Sequence, residues 1–323
     1  MTALLDSPEA PTTGAPRRKL PDVSSYYLAL ILLLLCVVAT FLSDAFLTRD
    51  NLINNLTQAS VVGVLTIGMT YVILTGGIDL SVGSILGASV IYLGLQDSSG
   101  GLVMILAALF GGVLLGAVNG LAITWGRVVP FIATLAMLSA GRGIAQFMSD
   151  STPIAIKSQL VLDLGTKRVL GLPMPVYVFA VVAVVAWVVL NRTAFGRHVV
   201  AVGGNAEAAR ASGIRVQRIV FTVYVIAGLC AGIGAILAAG RLGSASPLAG
   251  TGYELDAIAA AVIGGAALSG GKGGIGGSVL GVLLFQVMFN LFTLLDVNTN
   301  LQSILKGVII LAAVVLQRFT RKA

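Results

Sequence analysis

Charge and reactive side chains are scarce in this 323-residue chain. Only 10% of its residues are charged, and it has one histidine and two cysteines. A single histidine cannot found a metal cluster of the usual kind. Cys36 and Cys230 lie inside apolar runs with no basic neighbour to lower a thiol pKa, so both read as inert packing groups. No paired-carboxylate site and no Ser-His-Asp set can be assembled, so no catalyst is expected on this chain and no cofactor is implied. A nucleic-acid partner would need a soluble basic surface, which so little charge cannot provide. A soluble core of this size would likewise need far more polar residues to cover it.

What the chain has instead is apolar length. Hydrophobic residues make up 57% of it, with 40 glycines. The apolar residues gather in runs that approach or reach the ~20 residues needed to cross ~30 Å of hydrocarbon as a helix. These runs are Tyr27–Phe41, Ser60–Thr75, Val82–Leu95, Leu102–Trp125, Val129–Met148, Val176–Leu190, Ile219–Gly240, Leu255–Leu268, Gly277–Leu295 and Leu301–Leu316. The expected fold is all-α, a polytopic transmembrane helical bundle of about ten spans. The second, third and eighth runs are short, and the third reads either as a span or as part of a broken or re-entrant element with the second. Gly112-x-x-x-Gly116-x-x-x-Gly120 and Gly228-x-x-x-Gly232 have the spacing that lets membrane helices approach closely.

The basic residues orient the bundle. With ten spans, thirteen of the 20 Lys and Arg fall on the side of the N-terminus, five on the other side, and two, Arg142 and Lys306, within spans. Positive charge stays cytoplasmic, so both termini and the loop 191–218 are expected inside and residues 149–174 outside. Residues 1–24 read as a disordered cytoplasmic tail and 25–323 as one transmembrane domain. Two blocks of four spans, near 51–148 and 217–316, would then run with opposite topology, which suits an inverted repeat.

Four polar features interrupt the apolar pattern. In Thr75-Gly76-Gly77-Ile78-Asp79-Leu80-Ser81, Asp79 either caps the third span or lines a broken helix on a solute path. Tyr253-Glu254-Leu255-Asp256 opens the eighth span with acids suited to a helix N-terminus, or to a polar ligand. Arg142 is expected in a buried pairing, with Asn119, Asn290 and Gln302 as partners for the intramembrane cations, while Lys306 either pairs or snorkels. Ser269-Gly270-Gly271-Lys272-Gly273 is no phosphate loop, because Gly273 stands where Ser or Thr is required and no strand precedes it.

The most specific segment runs from Gly196 to Ile214. It is basic and glycine-punctuated, too polar for lipid and too short for a domain, and Ala206–Ser212 can form one or two turns along the membrane face. Together with Gly77-Ile-Asp-Leu-Ser-Val-Gly83, Pro130-Phe-Ile-Ala-Thr-Leu135, Tyr253-Glu-Leu-Asp-Ala-Ile-Ala-Ala260, Ile263-Gly-Gly265 and Leu268-Ser-Gly-Gly271, it resembles the ribose-type permease subunits of bacterial ABC sugar importers. Two departures are the Pro/Thr-rich start and Val129, where that family usually has Asn.

The resemblance implies a multi-pass protein of the bacterial plasma (inner) membrane, in contact with lipid. It implies a homodimer working with an ABC ATP-binding subunit and a periplasmic or extracellular sugar-binding protein, and a monosaccharide or similar small polar solute. It assigns Asn205, Glu207, Arg210 and Gly213 to a helix coupled to the ATPase, with Gly203, Gly204 and Gly213 setting its entry and exit turns. Asp79, Asn119, Phe131 and Thr134 are candidates for the solute path at the dimer centre, since polar and aromatic groups at membrane depth suit a hydroxyl-rich ligand. Two other readings stay open: a self-sufficient ion-coupled secondary transporter, and an ABC permease for branched-chain amino acids.

Overall fold

The computed structural model describes residues 23–320, so the expected tail over residues 1–24 lies almost wholly outside the described residues. Thirteen helices follow in chain order. They are α1 (Val23–Leu42), α2 (Arg49–Leu74), α3 (Val82–Gly94), α4 (Gly101–Thr124), α5 (Pro130–Met148), α6 (Gln159–Thr166), α7 (Met174–Arg192), α8 (Ala194–Gly204), α9 (Ala206–Ala211), α10 (Val216–Leu242), α11 (Tyr253–Ile263), α12 (Ile275–Leu294) and α13 (Thr299–Thr320). A 3-10 turn (Asp97–Ser99) and two ribbons of two-residue strands complete the described residues: β1 (Ile154–Ala155) with β4 (Ser244–Ala245), and β2 (Arg168–Val169) with β3 (Leu172–Pro173).

Ten of the helices fall on the ten expected runs, and the fold is an all-α polytopic bundle. Six, namely α2, α4, α5, α7, α10 and α12, are long and apolar enough to cross a membrane. The boundaries differ in two instructive places. Helix α2 starts at Arg49 rather than Ser60, because the polar stretch Asn51–Gln58 continues the helix with one face covered by tertiary contacts that hydropathy does not register. Helix α11 stops at Ile263 rather than Leu268, where Gly265 turns the chain at φ +90°. With 13 and 11 residues, α3 and α11 reach only ~20 and ~16 Å at 1.5 Å per residue, short of a full crossing.

Those two short helices occupy equivalent places in two four-helix blocks, α2–α5 and α10–α13. The packing is reciprocal: α10 packs on α3 and α4, as α2 packs on α11 and α12, while α3 packs on α5 as α11 does on α13. Between the blocks, α2 and α10 run antiparallel. Gln58 meets Arg241, Leu65 meets Gly234, and Gly68 meets Ala227 and Cys230. The two blocks thus start in opposite directions, as the expected inverted arrangement requires. The loops sort onto two ends: β1 pairs with β4 at one, and Gln217 reaches the Thr124 carbonyl at the other.

Helix α2 is the axis of the core. From Ala59 to Leu74 every residue is buried, beneath α7, α8, α10, α11 and α12. Helix α10 also buries most of its length, and its contact with α4 is made by glycine. A Cβ at Gly112 would strike the Gly228 carbonyl and the Gly232 amide, and one at Gly116 would meet the Gly228 backbone. The two glycine series recognised in the sequence therefore face each other, where close backbone approach substitutes for a hydrophobic drive that lipid cannot supply.

Gly228→Val should push α4 and α10 apart at an overpacking cost of about 1–3 kcal/mol. Gly143→Ala, where nothing lies within 4 Å, should be neutral. Thermal denaturation midpoints in detergent should fall for the first variant and not for the second.

Candidate functional site

At the end of the bundle that gathers the turns after α2, α4, α7 and α11, the chain forms the surface element α8–α9. Thr193 caps α8, its hydroxyl accepting from the Gly196 amide at 3.3 Å. Asn205 caps α9, its side-chain oxygen accepting from the amides of Glu207 (3.0 Å) and Ala208 (2.9 Å). At the far end of α9, the Ile214 amide donates to the Ala209 carbonyl and the Gly213 amide to that of Arg210, each at 3.0 Å. With Gly213 at φ +83°, this is a Schellman stop that favours glycine. Glu207 and Arg210 stand exposed on a short helix locked at both ends.

The entry is not the glycine turn expected from the sequence. Gly203 and Gly204 are the last residues of α8, and the turn is made by extended backbone at Asn205. Gly203 serves close packing instead: a Cβ there would collide with the Leu74 carbonyl oxygen and the Gly271 amide. The Gly271 amide itself donates to Leu74 at 2.9 Å. One point thus joins the end of α8, the end of α2 and the loop before α12.

Next to that point, α2 breaks into α3. The Asp79 side chain does not cap α3; Ser81 occupies the cap position and makes no side-chain cap bond. Asp79 closes an Asx turn, accepting from the Ser81 amide at 2.8 Å and hydroxyl at 2.5 Å, because the helix starts too late for its oxygen to reach the first free amides. Asn119 donates to the Ser81 hydroxyl at 2.7 Å. The hydroxyls of Thr134 and Tyr224 approach the Ile78 carbonyl at 3.3 and 3.4 Å. Three of the four path candidates, Asp79, Asn119 and Thr134, are therefore brought together in a knot 0–1% exposed. Phe131 is not; it is 49% exposed on the outside of α5.

The two intramembrane cations have found partners. Arg142 donates to the carbonyls of Pro247 (2.6 Å) and Ala249 (3.0 Å) in the α10–α11 loop. Lys306 on α13 forms an ion pair with Asp256 on α11 at 2.5 Å and lies 5.3 Å from the centre of the Phe289 ring. Asp256 thus joins α11 to α13 rather than capping its own helix, and Lys306 pairs rather than snorkels. Asn119, Asn290 and Gln302 serve elsewhere than on these cations: Asn290 exchanges amide hydrogen bonds with Asn51 at 2.8 and 3.1 Å, and Gln302 donates to the Val297 carbonyl.

Beside the Lys306–Asp256 pair lies a cavity of about 270 Å³ between α2, α11, α12 and α13, edged with carboxamides. The sequence reading passed over it. Its signal was the recurrence Asn51, Asn54, Asn55, Gln58, a polar stripe at helical spacing on α2. A second, larger hollow of about 950 Å³ flanks α9, with Arg127, Arg210, Arg215 and Arg218 on its walls. Four guanidinium groups there favour an acidic partner.

A family sequence model described as branched-chain amino acid transport system / permease component matches residues 51–314. The chain is similar to the ribose import permease protein RbsC of Escherichia coli (strain K12), 44% identical over 88% of this chain and 90% of that protein. It is 42% identical to the ribose import permease protein RbsC of Bacillus subtilis (strain 168), over 89% and 90%. It is 38% identical to the D-allose transport system permease protein AlsC of Escherichia coli (strain K12), over 90% and 91%. No solved structure matches.

Lys306→Met should strand the Asp256 carboxylate in the bundle and cost about 3–5 kcal/mol, whereas adding Asp256→Leu should recover much of it. Folded yield and denaturation midpoint of the single and double variants check this.

Proposed function

The chain belongs to the branched-chain amino acid transport system / permease component family, and we propose that within it the chain imports a monosaccharide. It is the membrane permease of an ABC importer, a multi-pass protein of the bacterial inner membrane, with ATP hydrolysis on a separate ATP-binding subunit and solute supplied by a periplasmic binding protein. The reading rests above all on nearly full-length kinship with permeases named for ribose and allose. The branched-chain name belongs to the family description as a whole. An ion-coupled carrier has less support: Asp256 is paired with Lys306, and Asp79 holds Ser81 through one of its two oxygens.

The chain pairs with a second copy of itself, and the solute crosses at the centre of that homodimer. Phe131 faces the path from α5, while Asp79, Asn119 and Thr134 set the backbone of the inner break. Helix α9 docks on the ATP-binding subunit through Glu207 and Arg210, with the arginine-walled hollow beside it receiving acidic side chains. Closure of the ATPase then pushes α8. The end of α8 bears on Leu74 and Gly271, so the push arrives at two places where helices are interrupted. Residues 25–323 act as one permease unit, and both termini and the 191–218 loop face the cytoplasm.

Glu207→Lys combined with Gly213→Val tests the coupling. Valine in the left-handed conformation is strained by about 1–3 kcal/mol whatever the surrounding space. Membrane insertion should persist, because no span is altered, while uptake and ATP hydrolysis stimulated by the binding protein should fall together. Co-purification of the ATPase, hydrolysis and uptake all at wild-type levels would overturn it. The orientation has its own check: a thiol introduced as Glu207→Cys should resist an impermeant maleimide in intact cells and react once the membrane is opened.

A further inference from the structure

The polar cavity between α2, α11, α12 and α13 is unexpected on grounds of cost. Carboxamides at membrane depth are expensive unless they hydrogen-bond, and the cavity holds one that is buried and unsatisfied, Asn55, beside the exposed Asn54 and the half-buried Gln286. The Asn55 side-chain oxygen is buried with no partner, in a residue only 8% exposed. Asn54 and Gln286 also line the space, and their amides make no hydrogen bond among the described residues. By contrast, the structural needs of this region are already met. Asn51 and Asn290 clasp α2 to α12, Arg241 donates to Gln58, and Lys306 neutralises Asp256. The amides of Asn54, Asn55 and Gln286 therefore hold no other element among the described residues, and that of Asn55 is buried at a cost the fold does not recover.

Their chemistry is selective. A carboxamide offers a donor and an acceptor together, which matches a hydroxyl that is itself both. The rings of Phe285 and Phe289, their centres 4.7 Å apart, flank the space and give it an apolar side suited to the C–H groups of a small ring. The ion pair adds polarity without net charge. At about 270 Å³, the volume equals that of roughly nine waters at ~30 Å³ each, and it lies below the ~300–1,000 Å³ that accommodates drug-sized ligands. That suits one small polyol. The cavity also lies toward the end where α2 and α13 begin and α10 finishes with Arg241, opposite the 191–218 loop proposed above to face the cytoplasm.

We propose that this cavity is a binding station for a neutral, polyhydroxylated solute, with Asn54, Asn55 and Gln286 as its hydrogen-bonding contacts. The proposal rests on the sugar-import reading. A solute released at the outer face exchanges water for these amides, and each contact is lost and replaced as it moves inward.

The test uses the full complex of permease, ATP-binding subunit and binding protein in proteoliposomes, with radiolabelled D-ribose and ATP. Asn54→Ala with Gln286→Ala should lower the sugar moved per ATP by about fivefold or more, the scale of lost hydrogen bonds to the solute. Hydrolysis stimulated by the loaded binding protein should stay within about twofold of wild type, since neither residue lies in the coupling machinery. Unchanged sugar per ATP with an unchanged preference for pentose over hexose would overturn the station and leave the importer reading intact. A wild-type complex that moves no monosaccharide would instead sink the importer reading. Should the double variant fail to assemble, Thr293→Cys at the cavity rim decides. D-Ribose should protect that thiol from a small methanethiosulfonate reagent, and absence of protection overturns the station.

Discussion

Interrupted helices inside an apolar bundle impose the constraint on which the rest of this structure depends. A helix that stops short leaves peptide groups without intrahelical partners, and lipid offers none. The polar residues of the chain are largely placed where these ends need them. At the break between α2 and α3, Asp79 takes the Ser81 amide, and the Thr134 and Tyr224 hydroxyls approach the Ile78 carbonyl. In the α10–α11 loop, the equivalent place in the other block, Arg142 supplies two carbonyls at once. An arginine that looks costly on a hydropathy plot is thus what allows the adjacent backbone to leave the helix.

The same constraint connects the surface to the interior. The Leu74 carbonyl at the end of α2 receives an amide from the loop before α12, and Gly203 packs against both because it has no side chain. An element with rigid caps at each end of α9 bears directly on two interruptions. Interruptions are also the parts of a helical bundle with few regular hydrogen bonds to break, so movement there costs less than movement of a whole span. The proposed push from the ATPase would therefore act where the bundle is easiest to deform. The long core helices α2 and α10 would stay fixed by their packing.

Polar groups that the breaks do not use stand out once the others are accounted for. Asn119 supports Ser81, Asn290 holds Asn51, and Lys306 holds Asp256. Among the described residues Asn54 and Gln286 make no hydrogen bond, and the Asn55 oxygen is buried without a partner. Buried oxygens of Asp79, Ser89 and Glu254 also lack partners elsewhere in the bundle, but only at this cavity does an unpartnered group stand among further carboxamides.

Ten helices, their order, the two blocks and the close-packing glycines were legible in the sequence. Each depends on hydropathy, spacing or charge summed along the chain, and lipid enforces those rules locally. The exit of α9 at Gly213 was legible for a similar reason, since it acts on backbone a few residues away, whereas its entry, expected at Gly203 and Gly204, is made by the Asn205 cap. The sequence could not decide which acid meets which base. Asp256 could cap its own helix or bind Lys306 fifty residues on, and only the packing of α13 against α11 chose. It could not reveal that Asp79 turns rather than caps, because that depends on where α3 starts. Nor could it show that Phe131 faces outward while Thr134, three residues later, is sealed, or that α2 carries a polar stripe into a cavity. Those outcomes belong to contacts between segments far apart in the chain, which only tertiary structure brings within reach.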